Sequence, residues 1–188
     1  MSLFIQDTIR AATHDSHRRL DLALSWLDLG QPRYYAGFLR SQADALLPLE
    51  GALETAGITG VLPDWPLRAR GTALKHDLLL LNVVPAPHPQ PHFNNDAQML
   101  GAVYVLEASR MGARVMLARL AQHADSTSIE ATRYLKHGFG KRFWPTFLAV
   151  LENHPSAHAD IEGVVQGAQI AFDMFENALV PIGSVAAA

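Results

Sequence analysis

The sequence predicts a single all-α domain. Apolar residues recur at steps of three and four along nearly the whole chain, whereas the strict alternation expected of strands is hard to find. Of the 188 residues, 49% are hydrophobic and 18% are charged, which is typical of a folded chain with a large buried surface. The length suits one domain, so we expect residues 1–188 to form one helical unit with its core at about 5–180.

Charge and cysteine content exclude several kinds of protein. Fifteen Lys and Arg against eighteen Asp and Glu give a net charge of −3 without a basic run, so nucleic acid is not an expected partner. Because cysteine is absent, any metal must be held by His, Asp, Glu or a cofactor. No apolar segment reaches the roughly 18 residues of a membrane span and no signal peptide is recognisable, so we expect no membrane association and a cytoplasmic location.

The first two helices are defined by apolar stripes and stop signals. The first stripe runs from Ile5 to Leu27 and ends at the segment 28–30, Asp-Leu-Gly. The second helix begins at Pro32, because proline suits a first helical turn, and it ends near Gly57. A kink is expected inside it at Pro48, where the backbone lacks an N–H donor.

The next two helices are separated by a proline-rich connector. Asp64, followed by Pro66, starts the third helix. The inward-facing residues of this helix are expected to be Leu67, Leu74, Leu78 and Leu81. The connector at 85–91 should be extended. The fourth helix follows cap residues at 94–96 and runs over about 97–122, and because it is apolar on most sides we expect it at the centre of the domain.

Three further helices bring the predicted number to about seven. Thr127 to Glu130 match a capping box for a short fifth helix. Residues 142–152 form the sixth. An apolar stripe from Ile161 to Leu179 defines the seventh, and the chain after Pro181 is expected to fray.

Histidine is abundant, with nine in the chain, but most are predicted to be exposed. Those in the proline connector, near helix ends or beside Pro155 are His88, His92, His123, His137, His154 and His158. No Glu-x-x-His sequence occurs, which excludes a di-iron bundle built from such pairs. His14 and His17 differ from the others because they lie three residues apart on the first helix.

His17 and Arg10 form the first candidate site. On a helical wheel His17 lies about 80° and Arg10 about 100° from Ile9, whereas His14, at about 140°, points further toward solvent. A histidine at the border of an apolar stripe can ligate haem iron, with Arg10 placed two turns away to contact a propionate. The alternative is that His17 is a hydrogen-bonded residue at the edge of the core. The spacing alone does not distinguish a haem ligand from a residue at the edge of the core.

The second candidate site lies on the fourth helix, where small residues gather on one side. They are Gly101, Ala108, Ser109, Gly112 and Ala113. A glycine inside a helix, such as Gly112, costs about 0.5 to 1 kcal/mol relative to alanine, so we expect a close approach that compensates for it. The neighbour that approaches is either another helix or a flat ligand, and both interpretations remain open.

Together these two segments resemble the haem oxygenase family, especially its bacterial members, including those associated with bacteriophytochromes. Residues 9–17, IRAATHDSH, resemble the first-helix signature Leu-basic-x-x-Thr-x-x-x-His, whose last histidine is the proximal iron ligand. Residues 104–114, YVLEASRMGAR, are similar to the distal-helix motif, usually Tyr-Val-x-Glu-Gly-Ser-x-Leu-Gly-Gly or Gly-Ala. Weaker similarities extend the match over about residues 5–180.

The resemblance implies a haem site, with its iron, between the first and fourth helices. By position, His17 would be the axial iron ligand and Arg10 a propionate contact. The distal wall, whose small side chains let the backbone approach bound dioxygen, would consist of Ala108, Ser109, Gly112 and Ala113. The remaining propionate contacts would be Tyr104 and one of Lys136, Lys141 and Arg142.

The resemblance also implies a reaction. Haem would serve as both cofactor and substrate and would be cleaved with dioxygen to biliverdin, ferrous iron and carbon monoxide. Electrons would come from an external reductase or ferredoxin, because the chain has no Gly-rich dinucleotide motif and no cysteine. A bacteriophytochrome is a candidate recipient of the biliverdin.

Ala108 departs from the family pattern, which usually has glycine at that position, and its methyl group is expected to crowd bound oxygen or tilt the haem. An alternative function is therefore a haem- or bilin-binding protein without turnover. A third interpretation is an enzyme of the related thiaminase-like helical fold, against which the missing cysteine nucleophile argues.

Overall fold

A computed structural model describes residues 4–186, without the side chains of His123 and of residues 180–186. Over that range the chain is helical and contains no strand, which confirms the predicted all-α class. The helices are α1 (Phe4–Ala12), α2 (His14–Ser25), α3 (Pro32–Thr55), α4 (Ile58–Val61), α5 (Trp65–Arg68), α6 (Gly71–Leu80), α7 (Asp96–Ala108), α8 (Ala113–His123), α9 (Ser126–Glu130), α10 (Arg133–Lys136), α11 (Phe143–Asn153), α12 (Pro155–Ala159) and α13 (Ile161–Ala186). A 3-10 turn, Ser109–Gly112, joins α7 to α8.

The core is organised around α13, which packs mainly against α7 and α3. Two glycines allow α7 and α13 to approach backbone to backbone. A Cβ at Gly101 would overlap the Val164 carbonyl oxygen, and a Cβ at Gly167 would overlap the Gln98 carbonyl oxygen. Helix packing therefore accounts for Gly101, one of the small residues noted in the fourth predicted helix.

The first predicted helix is two helices, α1 and α2, that meet at Thr13. The Thr13 hydroxyl donates a hydrogen bond to the Ile9 carbonyl, 2.8 Å away. Helix α1 buries Ile5 and Ile9, whereas no residue of α2 is fully buried. The prediction of one continuous helix from Ile5 to Leu27 was therefore wrong. The periodicity persists in α2 because its apolar side faces a cavity.

The third predicted helix is also divided, into α5 and α6. Leu74 and Leu78 are buried as predicted, but Leu67 is 67% exposed and Leu81 is only half-buried, so those two predictions were wrong. The break between α5 and α6 changes the direction of the helix, so one stripe cannot describe both. The carboxylate of Asp64 caps no backbone N–H and accepts a hydrogen bond from Arg68 Nε at 2.7 Å.

Most of the other predicted boundaries are close to the observed ones. Asn95 caps α7, as expected, by accepting a hydrogen bond from the backbone N–H of Gln98 at 3.0 Å. Asp125, rather than Thr127, caps α9, because its carboxylate accepts from the Ser128 backbone N–H. Two further observations concern prolines. Pro48 lies inside α3, which continues to Thr55 as predicted, whereas α13 continues past Pro181 to Ala186 where fraying was predicted.

None of the described helices combines the length and apolar composition that crossing a bilayer requires.

Candidate ligand cavity

A cavity of about 340 Å³ lies among α2, α13 and the turn between α7 and α8. Its volume is within the range of small-molecule sites, roughly 300–1,000 Å³. Helix α2 contributes Leu20 and Leu24, and α13 contributes Phe172 and Phe175, so the walls are largely apolar. Most residues of α2 are exposed, and its apolar residues Leu20 and Leu24 border the cavity.

His17 stands at this cavity, on α2. Its Nδ1 lies 3.0 Å from Asp21 Oδ2, one helical turn further along, and both side chains are about two-thirds exposed, at 65% and 67%. The ring meets Phe172 edge-on, with a centroid separation of 6.4 Å and an interplanar angle of 67°. His14 does not line the cavity, and its side chain is 72% exposed. The two histidines therefore differ in position as the helical wheel predicted.

All four residues predicted for the distal wall line the cavity: Ala108, Ser109, Gly112 and Ala113. The predicted continuous helix is interrupted here by the 3-10 turn Ser109–Gly112. A Cβ added at Gly112 would contact only the Met116 methyl carbon, at 3.8 Å. Unlike Gly101, then, Gly112 is not required by contact with a neighbouring helix, and the space beside it belongs to the cavity.

The residues predicted to contact propionates do not line the cavity. Tyr104 is buried against Trp144, with ring centroids 5.3 Å apart, and burial raises the pKa of its hydroxyl while the charge of Arg10 acts to lower it. Lys141 is exposed in the loop between α10 and α11, and Lys136 and Arg142 are also exposed. Their roles stay predictions.

A buried arginine behind the turn was not anticipated as a site residue. Arg70, only 4% exposed, also lines the cavity. Its Nη2 donates hydrogen bonds to Ser109 Oγ at 2.8 Å and to the Leu106 carbonyl at 3.0 Å. Its guanidinium lies over the Tyr134 ring at 5.0 Å, and the Tyr134 hydroxyl donates to Gln42 Oε1 at 2.9 Å. The turn is thus anchored through Ser109 to a polar chain inside the domain.

A second buried group holds the same turn. Glu107, 1% exposed, pairs with Arg110 Nη2 at 3.0 Å and with Arg68 Nη1 at 3.3 Å. Arg110 Nη1 lies 3.1 Å from Nδ1 of His137, which also lines the cavity. Burial and the charges of Arg110 and Arg70 lower the pKa of His137 to about 4. This imidazole is therefore neutral near pH 7.

Comparison with known proteins supplies the family. A family model described as "Heme oxygenase" matches residues 88–180. A curated relative from Xanthomonas campestris pv. campestris (strain 8004), described as "Heme oxygenase", is 30% identical over 146 residues, which cover 77% of this chain and 88% of the relative. The chain belongs to the haem oxygenase family.

A solved structure supports the fold of this haem oxygenase family member. The NO- and CO-bound heme oxygenase from Neisseria meningitidis matches it with a TM-score of 0.74 and 21% sequence identity, covering 93% of this chain and 89% of that chain. The match supports the all-α arrangement alone. Family membership also replaces the thiaminase-like interpretation of the sequence.

The prediction that six histidines of this family member are exposed was only partly correct. His88, His92 and His158 are exposed as predicted, and the side chain of His123 lies outside the described part of the chain. The two wrong predictions are His137, which is half-buried at the cavity, and His154, whose Nδ1 accepts a hydrogen bond from the Ser156 backbone N–H at the start of α12.

Few features of the sequence indicated the cavity-lining residues that sequence reasoning missed, which are Arg70, Arg110 and His137. The one local signal was Arg110, a charged residue in the middle of a segment of small and apolar residues, where burial requires a partner. Nothing near His137 indicated burial, because its environment is created by Arg110, 27 residues earlier in the chain.

Proposed function

We propose that this family member is a haem oxygenase that cleaves haem to biliverdin, ferrous iron and carbon monoxide, using dioxygen and external electrons. The supporting observation is that His17 and the small residues of the 3-10 turn line the same largely apolar cavity. A flat, mostly apolar substrate requires such a cavity, with a few polar groups to orient it.

His17 is the proposed ligand to the iron of the substrate. The Asp21 carboxylate lies 3.0 Å from Nδ1 of His17, so this nitrogen faces Asp21 and Nε2 is the nitrogen left for a metal. The edge-on contact with Phe172 limits rotation of the ring. The donor set therefore fits a haem that is held by one histidine.

The proposed role of Ala108, Ser109, Gly112 and Ala113 is to cover the other face of the substrate. Because these side chains are small, the backbone of the turn can come close to the porphyrin and leave limited space for dioxygen and water. No acid or base is required among them, since their contribution is to orient dioxygen toward one edge and to exclude bulk water. The Arg70 and Glu107 networks keep the turn in place.

Other groups complete the proposal. Arg10, Tyr104 and Lys141 stay proposed propionate contacts by position in the resembling motifs, and none of the three lines the cavity. Electrons are proposed to come from a ferredoxin or a flavoprotein reductase, and a bacteriophytochrome is a proposed recipient of the product.

The alternative function is binding of haem or a bilin without turnover. Ala108 favours it, because the family pattern usually has glycine there and the Ala108 side chain lines the cavity. A methyl group at this position reduces the space available to dioxygen.

Reconstitution with hemin followed by ascorbate separates the two functions. Turnover predicts a histidine-ligated Soret band that decays as biliverdin absorbance appears. A stable Soret band without biliverdin would contradict turnover and support the alternative.

The assignment of the iron ligand has its own test. His17→Ala should abolish the iron–nitrogen stretch in the resonance Raman spectrum of the reconstituted protein. The matched control is His14→Ala, three residues earlier on the same helix, which should retain the stretch. An unchanged signal in His17→Ala would remove the basis of the proposed site.

A further inference from the structure

His137 is a cavity residue whose tautomer follows from its partner. Its Nδ1 lies 3.1 Å from Arg110 Nη1, and its ring stacks on Phe143 at a centroid distance of 6.5 Å and an angle of 23°. A guanidinium has five donors and no acceptor, so the imidazole nitrogen that faces it has to accept. In a neutral imidazole the single proton is then on Nε2.

Arg110 is held in this position by groups on three sides. Its Nη2 donates to Glu107 Oε1 at 3.0 Å and to the Arg68 carbonyl oxygen, and its guanidinium lies 5.2 Å from the centroid of the Phe143 ring. Glu107 is a buried carboxylate, and removal of the Arg110 guanidinium would leave its charge less well paired inside the protein, which would reduce the free energy of unfolding. Glu107 therefore fixes the guanidinium that faces His137.

The opposite nitrogen of His137 is free. Within residues 4–186, apart from the side chains of His123 and of residues 180–186, no group forms a hydrogen bond with His137 Nε2. His137 lines the cavity, so a molecule inside the cavity lies beside a ring whose Nε2 has no partner within the described chain.

We propose that Glu107 and Arg110 are positioning residues that hold His137 as its neutral Nε2–H tautomer, and that this N–H donates a hydrogen bond to a ligand or water in the cavity. The part of this inference that concerns catalysis rests on the proposed function. There, the donor would stabilise negative charge that develops on the substrate dioxygen, as an oriented N–H does in other sites that stabilise anions. Protonated imidazolium is not required.

The tautomer is measurable in the protein without haem. Long-range ¹H–¹⁵N correlation spectra of the apoprotein at pH 7 should show an unprotonated Nδ1 and a protonated Nε2 for His137. His137→Gln assigns the signals. A wild-type protein with its proton on Nδ1, or with both nitrogens protonated, would overturn the proposal whatever the behaviour of any variant.

Two variants test the positioning residues. Glu107→Gln and Arg110→Met should convert His137 to a mixture of both tautomers, and Arg110→Met should also raise its pKa. Glu54→Gln, the same chemical change at an exposed site on α3, should leave the tautomer unchanged. Circular dichroism establishes that each variant is folded, and a folded Arg110→Met that keeps the pure Nε2–H tautomer would contradict the role of Arg110.

The hydrogen bond into the cavity is tested in hemin-loaded protein that is reduced and exposed to carbon monoxide. His137→Phe should raise the carbon monoxide stretching frequency, because a nearby donor lowers it by favouring electron density on the ligand oxygen. An unchanged frequency would overturn the contact with the ligand. Failure of hemin to bind would instead contradict the proposed function, while the apoprotein spectra would still decide the tautomer.

Discussion

The imidazole of His17 and the carboxylate of Asp21 face each other across one turn of α2, with 3.0 Å between Nδ1 and Oδ2. Both side chains are mostly exposed, so the pair contributes little to folding, about 0 to 1 kcal/mol. In the proposed site the carboxylate would orient the ring and increase the basicity of Nε2.

Asp21→Asn should weaken hemin binding about 10- to 100-fold, as expected when the carboxylate that orients a metal-bound histidine is removed. Fluorescence quenching or Soret titration measures the affinity. Asp15→Asn is the matched control, because Asp15 contacts His14 at 3.4 Å and not the cavity. Equal affinities for Asp21→Asn and wild type would argue against His17 as the ligand.

Ala108→Gly should keep or raise turnover, because it removes the methyl group that narrows the cavity and restores the residue usual in the family pattern. Ascorbate-driven release of biliverdin measures the rate. Ala113→Gly serves as a control, since the resembling motif has either glycine or alanine there. A variant that binds hemin normally but loses activity would count against our placement of the distal wall.

Gly101 of α7 and Gly112 of the 3-10 turn should respond differently to alanine. Gly101→Ala should reduce the free energy of unfolding by about 1 to 3 kcal/mol, because its Cβ overlaps the Val164 carbonyl oxygen. Gly112→Ala has room for the methyl group and should leave stability unchanged or raise it by up to about 1 kcal/mol. Urea unfolding measures the free energy of unfolding of both variants. Similar losses in the two variants would contradict our inference that Gly101 serves helix packing and Gly112 borders the cavity.

Acid should destabilise the protein partly through His137. In the folded protein, burial and the charges of Arg110 and Arg70 lower the pKa of His137 from 6.5 to about 4. The unfolded chain therefore binds the proton more tightly than the folded protein does. The stability that accompanies the neutral ring is complete above about pH 6.5 and declines as the pH falls toward 4. Between pH 7 and 5, wild type should lose about 1 to 2 kcal/mol more than His137→Gln in urea unfolding. Parallel losses would show that His137 titrates normally.

Local patterns were sufficient for the helical class and for part of the cavity. Periodicity identified the apolar side of α2, and the signature residues led to His17 and to the small residues at 108–113 that line the cavity. Helix breaks were missed at Thr13 and between α5 and α6, because a stripe of apolar residues can continue in the sequence across a change of helix direction.

The amino-acid sequence by itself determined the helical class, the family and the segments that contain the cavity, because these depend on spacing and residue type along a short stretch of chain. Only the tertiary structure decided which small residues serve packing and which border open space. It also brought Arg110 to His137 and Arg70 to Ser109. Such pairs join residues far apart in the chain, and a buried charge obtains its partner only once the helices have packed.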